Sequence, residues 1–152
     1  RNVPAASLFV LPDAISDDVA AAVLLKGCTA EFLAERCARV APGDAVLVHA
    51  AAGGVGLILV QWLKAMGATV IGTVSSAAKA DAARAAGADH IVRYDFEPVA
   101  PRVRELTGGA GVRVTYDGVG MDTWEASLDA TGRRGLIVSY GNASAPVTGI
   151  GL

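Results

Sequence analysis

The side chains best placed to do chemistry gather around glycine-rich turns that each follow an apolar run. The first is Ala50-Ala51-Ala52-Gly53-Gly54-Val55-Gly56, preceded by Val46-Leu47-Val48-His49. Glycine backbone in such a turn can approach a diphosphate closely, and a helix opening there aims its free N–H groups and positive dipole end at the charge. Read strictly as G-x-G-x-x-G, the positions are Ala51, Gly53 and Gly56, with alanine in the first place. The pattern therefore carries weight only if strand, turn and helix surround it. A second group, Ser75, Ser76 and Lys79, follows Ile71-Gly72-Thr73-Val74. A dinucleotide site usually has Asp or Glu here to bind a ribose 2′-hydroxyl. No carboxylate is present, and two hydroxyls with an ammonium suit a 2′-phosphate, so these residues favour NADP(H) over NAD(H). The plainer reading makes Ser75 a helix cap and Lys79 a solvated charge. Tyr94 ends the next apolar run, where its hydroxyl either joins that pocket or the ring packs. The third group comprises Gly118, Val119 and Gly120 with Tyr140, Gly141 and Asn142. They end two later runs, where open α/β sheets bind ligands, and they are expected to meet the nicotinamide half of the cofactor.

Other chemistries find little support. His49 and His90 read as core or surface histidines. With Cys28 and Cys37 they have no metal-ligand spacing, so no metal is expected. The two cysteines lie nine residues apart on a helical stretch and read as buried or bystander thiols. No nucleophile has an adjacent base, no G-x-S-x-G elbow occurs, and Asp117 reads as a turn anchor.

These groups need elements to hold them. From Ser16 to Arg39 apolar residues recur at helical spacing, with Ser16 as N-cap and Gly27 expected to divide the stretch into two helices. Pro42-Gly43-Asp44 is a turn, and residues 45–50 then form a buried strand, apolar without alternation. A helix from Gly54 presents Val55, Ile58, Leu59, Trp62, Leu63 and Met66 on a broad apolar face and stops at Gly67. Further strands are predicted over 69–74, 90–94, 112–116 and 135–140. Helices fall over 77–86 and 98–106, and from a cap at Asp122 or Thr123 to Ala130. Strands alternating with helices make βαβ units, and right-handed crossovers place them in a Rossmann-type doubly wound parallel sheet, three layers deep, of strand order 3-2-1-4-5. After Ala145, the residues Pro146, Thr148, Gly149 and Gly151 are poor strand material. The fifth strand is thus expected to present an open edge, which predicts self-association into a homodimer.

Composition agrees with such a fold. The 152 residues are 53% hydrophobic, 5% aromatic and 18% charged, enough for one compact domain and unlike a disordered chain. A net charge of −2 offers no nucleic-acid footprint. No apolar run approaches the roughly 20 residues a membrane helix needs, and no signal-peptide layout opens the chain, so the cytoplasm is the expected compartment.

Leu25-Lys26-Gly27-Cys28-Thr29, His49 to Gly56, Gln61-Trp62, Gly72-Thr73-Val74, Tyr116 to Trp124 and Ser139-Tyr140-Gly141-Asn142 together resemble the NADPH-dependent quinone oxidoreductases. These belong with zeta-crystallin to the zinc-free medium-chain dehydrogenase/reductase superfamily, and the resemblance covers nearly the whole chain. It implies a cofactor-binding domain over residues 1–152 that holds NADPH for reduction of a quinone. It also implies that the family's N-terminal catalytic domain and C-terminal return segment are absent, so that the domain alone binds cofactor weakly with little turnover. Carried over, the pattern puts Gly53, Gly54 and Val55 against the diphosphate and Ser75, Ser76, Lys79 and Tyr94 around the 2′-phosphate. Thr29 falls near the nicotinamide. Val119, Tyr140, Gly141, Asn142 and Ala143 line the nicotinamide and ribose side, where the family usually has phenylalanine for Tyr140 and serine for Ala143. Three alternatives remain open: an enoyl or enone reductase of the same superfamily, a non-catalytic crystallin-like nucleotide-binding module, and a methyltransferase with a similar first turn. The last is weakened by the missing acid after the second strand.

Overall fold

A computed structural model describes residues 2–149. Five parallel strands form one sheet in the order β3-β2-β1-β4-β5: β1 Ala45–Val48, β2 Thr69–Val74, β3 His90–Arg93, β4 Val112–Asp117 and β5 Thr131–Ser139. Each crosses to the next through a helix: α2 Gly54–Ala65, α3 Ala77–Ala85, α4 Val99–Leu106 and α5 Met121–Ala130. The expected doubly wound order is thus the observed one. Strand β1 sits at the centre, pairing Val46 with Val70 of β2 and with Val114 of β4. Its Val46, Leu47 and Val48 are fully buried because helices cover both faces of the sheet. Val46 and Val48 pack under α2 and α3 with Leu59, Val60, Leu63, Ala80 and Ala83. Leu47 points the other way, to Ile71, Val92, Ala100, Val103 and Ala130.

Several boundaries depart from the sequence reading, among them the end of β1, which falls at Val48 rather than Ala50. Gly27 does not divide its stretch: α1 runs unbroken over Asp17–Glu31, capped by Ser16, and continues as a π-helical turn over Phe32–Cys37. An interior glycine costs a helix only about 1 kcal/mol, too little to end a helix that packs against α2. Neither Asp122 nor Thr123 caps α5; Gly120 does, at φ +95°, because the Thr123 hydroxyl is engaged by Asp117. Finally, β5 begins at Thr131 rather than Gly135, since α5 passes into it without a loop. The register jumps from Val112↔Thr131 to Val114↔Leu136, a bulge holding Arg134 at φ +62°. Arg104 braces this junction, donating to the carbonyls of Gly109, Asp129 and Thr131 at 2.8–3.0 Å.

Beyond β5, Ala145 makes an isolated parallel bridge to Gly120, and no strand follows among the described residues; Gly151 lies outside them. No helix among the described residues is long and apolar enough to cross a membrane.

Candidate nucleotide site

The three candidate groups lie at the carboxyl ends of strands β1, β2, β4 and β5. At the first, β1 stops at Val48, and the left-handed position of the turn is held by Ala50, at φ +50°, rather than by a glycine. Gly53 is the N-cap of α2, its N–H donating 2.8 Å to the Ala50 carbonyl. Gly56 lies so close beneath the turn that a Cβ there would sit 2.4 Å from the Ala50 oxygen. Gly54 is exposed, and the stem of Lys26, reaching over from α1, lies where its Cβ would go. The Lys26 ammonium meets the Ala22 carbonyl at 3.2 Å and no carboxylate among the described residues. The turn thus offers an N-terminal helix dipole beside a cation, a setting that fits a diphosphate.

Next to it is a small hollow lined by Ala50, Ala52, Gly53, Thr73, Val74, Ser75, Lys79 and Tyr94. Lys79 Nζ donates to Ser75 Oγ at 2.9 Å, while Ser76, not Ser75, caps α3 by accepting from the Lys79 N–H. Four predicted residues, Gly53, Ser75, Lys79 and Tyr94, therefore share one wall, and no acidic side chain lines it. The hollow suits a dianion. It opens into a larger one through shared Ala50, Thr73 and Tyr94, the remainder being Val99, Val119, Asp122, Thr123 and Ala126. Val119 thus faces the same cleft as Tyr94.

The β4–α5 loop and the segment after β5 are laced together. Tyr140, Ala143 and Ser144 donate backbone N–H bonds to the carbonyls of Asp117, Gly118 and Val119. Gly118 and Gly141 meet backbone to backbone, and a Cβ on Gly141 would lie 2.7 Å from the Gly118 oxygen. The Tyr140 ring covers Gly118; burial, with the Asp117 charge nearby, pushes its phenol up to about 12. Val119, Tyr140, Gly141, Asn142 and Ala143 are in this way gathered at one strand end. Thr29 stands apart on α1, its hydroxyl donating 2.9 Å to the Leu25 carbonyl, and lines neither hollow. Val55 turns partly into the core.

Sequence reasoning missed what lies beneath. His49, Thr73, Asp117 and Ser127 are all buried and linked side chain to side chain. Asp117 anchors its turn as read, accepting from the N–H groups of Val119 and Gly120 and from Thr123. Burial disfavours its charge, but hydrogen bonds from Ser127 and Gly120, with His49 close by, hold its carboxyl below the usual range. Burial pushes the His49 imidazole down. The signal for two of them was a polar residue closing a strand, His49 after β1 and Asp117 at the end of β4; Thr73 within β2 and Ser127 on α5 had none. Among the described residues no three His, Cys, Asp or Glu side chains cluster as a metal site would, and Cys28 and Cys37 are free.

Comparison with known proteins identifies the family. The family model described as zinc-binding dehydrogenase matches residues 54–151. The quinone oxidoreductase of Salmonella typhimurium is 57% identical over 152 residues, all of this chain and 46% of that protein. A crystal structure of Escherichia coli quinone oxidoreductase complexed with NADPH superposes with a TM-score of 0.91 at 52% identity, over 94% of this chain and 44% of that one. A 2-haloacrylate reductase of a Burkholderia species is 49% identical over 95% of this chain and 44% of its own length. The chain therefore spans less than half the length of these relatives. It belongs to the zinc-binding dehydrogenase family and, within it, groups with the quinone oxidoreductases.

Proposed function

We propose that residues 1–152 form the NADP(H)-binding domain of a quinone oxidoreductase that carries reducing equivalents from NADPH to a quinone. The observation that carries this reading is the hollow in which Ser75 and Lys79 meet beside Tyr94 and Gly53, with no carboxylate to repel a 2′-phosphate. Gly53, Gly54 and Val55 then hold the diphosphate at the α2 N-terminus, with Ser76 keeping the first turn of α3 in place. Tyr140, Gly141, Asn142 and Ala143 wall the nicotinamide and ribose side; Val119, expected with them, lines the hollow it shares with Tyr94, and Thr29, which lines neither hollow, is assigned to the nicotinamide by the family pattern alone. When bound, the reduced nicotinamide supplies the hydride. The protein's share is orientation and exclusion of water, for which no nucleophile is needed.

In this reading the domain uses no zinc, works in the cytoplasm and pairs with a second copy along the β5 edge. It binds neither nucleic acid nor membrane, and alone it turns over little. Calorimetric titration with NADPH and NADH tests the reading: NADPH binding at least about tenfold tighter supports it, and equal affinities refute it. The 2-haloacrylate reductase relative favours one second reading, reduction of an activated carbon–carbon double bond. Steady-state rates of the full-length protein on quinones and on enoates decide between the two.

A further inference from the structure

A continuous chain of side-chain hydrogen bonds runs beneath the larger hollow from one wall to the other. Thr73 Oγ1 lies 3.1 Å from His49 Nδ1, His49 Nε2 lies 3.0 Å from Ser127 Oγ, and Ser127 Oγ lies 2.6 Å from Asp117 Oδ2. Thr123 Oγ1 reaches both Asp117 oxygens at 2.8 Å. The two end residues, Thr73 and Thr123, line the hollow; the three between them do not. Every hydrogen in this chain can be placed. Asp117 is ringed by donors, two backbone N–H groups and two hydroxyls, and has none to give. Ser127 must then spend its single hydrogen on the carboxylate, and it accepts from His49 Nε2–H. A neutral imidazole protonated at Nε2 leaves Nδ1 bare, so Thr73 donates to it. Both threonines on the walls have thereby used their hydrogens inward.

We propose that Asp117, Ser127 and His49 are positioning residues for the nucleotide hollow: the carboxylate imposes one direction on the chain, pins both walls, and leaves Thr73 and Thr123 able to meet the occupant only as hydrogen-bond acceptors. The hollow accordingly takes a ligand face carrying donors, such as the amine and hydroxyl hydrogens of an adenosine. Its assignment to that half of the cofactor rests on the dinucleotide reading above.

The direction can be reversed without changing shape. In Asp117→Asn the amide oxygen must face the Val119 and Gly120 N–H groups, so the amide nitrogen donates to Ser127. Ser127 then donates to His49 Nε2, and the imidazole proton moves to Nδ1 to face Thr73. Ring 15N shifts from long-range 1H–15N spectra read this directly, with exposed His90, the second of the two histidines, assigned by His90→Gln. The expected result is the Nε2–H tautomer in the wild type and Nδ1–H in Asp117→Asn, with NADPH binding about tenfold weaker in the variant. A wild-type Nδ1–H tautomer, a tautomer unchanged by the substitution, or unchanged NADPH affinity overturns the proposal. Should Asp117→Asn not fold, the wild-type tautomer still decides the direction, and Thr73→Val decides the rest: about tenfold weaker NADPH and AMP binding supports it, and unchanged binding overturns it. A wild type that shows the Nε2–H tautomer yet binds no dinucleotide refutes the functional reading, and the adenosine assignment falls with it.

Discussion

Lys79 reaches Ser75 from four residues along the chain and has no carboxylate partner among the described residues, so its charge is available to a ligand. A charge-assisted bond of that kind is worth about 1.5–3 kcal/mol, or roughly a 10- to 100-fold preference. Lys79→Ala is expected to weaken NADPH by that factor and leave NADH unchanged, read by parallel titrations. His49 governs acid stability. Burial holds its native imidazole neutral, while in the unfolded chain it titrates near 6.5. Below that pH the unfolded state takes up a proton that the native state declines, so stability is full above about 6.5 and falls as pH drops, by at most about 1.4 kcal/mol per unit. Asp117, with a lowered native pKa, adds a further loss only as pH falls below the ordinary carboxylate range. Denaturation midpoints from pH 8 to 5 should decline in the wild type and decline less in His49→Gln. A flat wild-type profile contradicts the buried neutral assignment.

The elements differ in how far their residues announced them. Strands β1 and β2 were legible because each is a mostly apolar run buried on both faces, β4 because Val112, Val114 and Tyr116 alternate along it, and α2 because its apolar face is broad. The start of β5 was hidden, since Gly132-Arg133-Arg134-Gly135 looks like a turn and is in fact a bulge bent over Val112. The small hollow beside α3 was legible because Ser75 and Lys79, two of its lining residues, lie four apart in sequence. The buried chain could not, since His49 meets Ser127 across 78 positions with no local spacing to betray it. One contrast tests the laced strand ends. The atoms nearest a Cβ on Gly118 belong to the Tyr140 side chain, whereas those nearest one on Gly141 belong to the Gly118 backbone, which has less room to give. Gly141→Ala should therefore cost about 1–3 kcal/mol in chemical denaturation and loosen nucleotide binding, with Gly118→Ala costing less.

For the molecule as a whole, the sheet ends at β5, whose outer backbone groups have no partner strand among the described residues. Such an edge is a template for pairing, and a concentration-dependent dimer in sedimentation velocity is the expected behaviour. Lys replacing the strand's Ile137 should weaken it; a monomer at all concentrations argues against pairing there. The same end of the sheet holds Arg104, whose fork ties the loop after α4 to the point where α5 becomes β5. That junction has no loop of its own to satisfy the last helical carbonyls, so its closure comes from a side chain 25 residues earlier. The final strand therefore cannot fray alone. In native-state hydrogen exchange, the amides of α4, α5 and β5 should open together as a single unit, and Arg104→Lys, which keeps the charge but loses the fork, should split it in two.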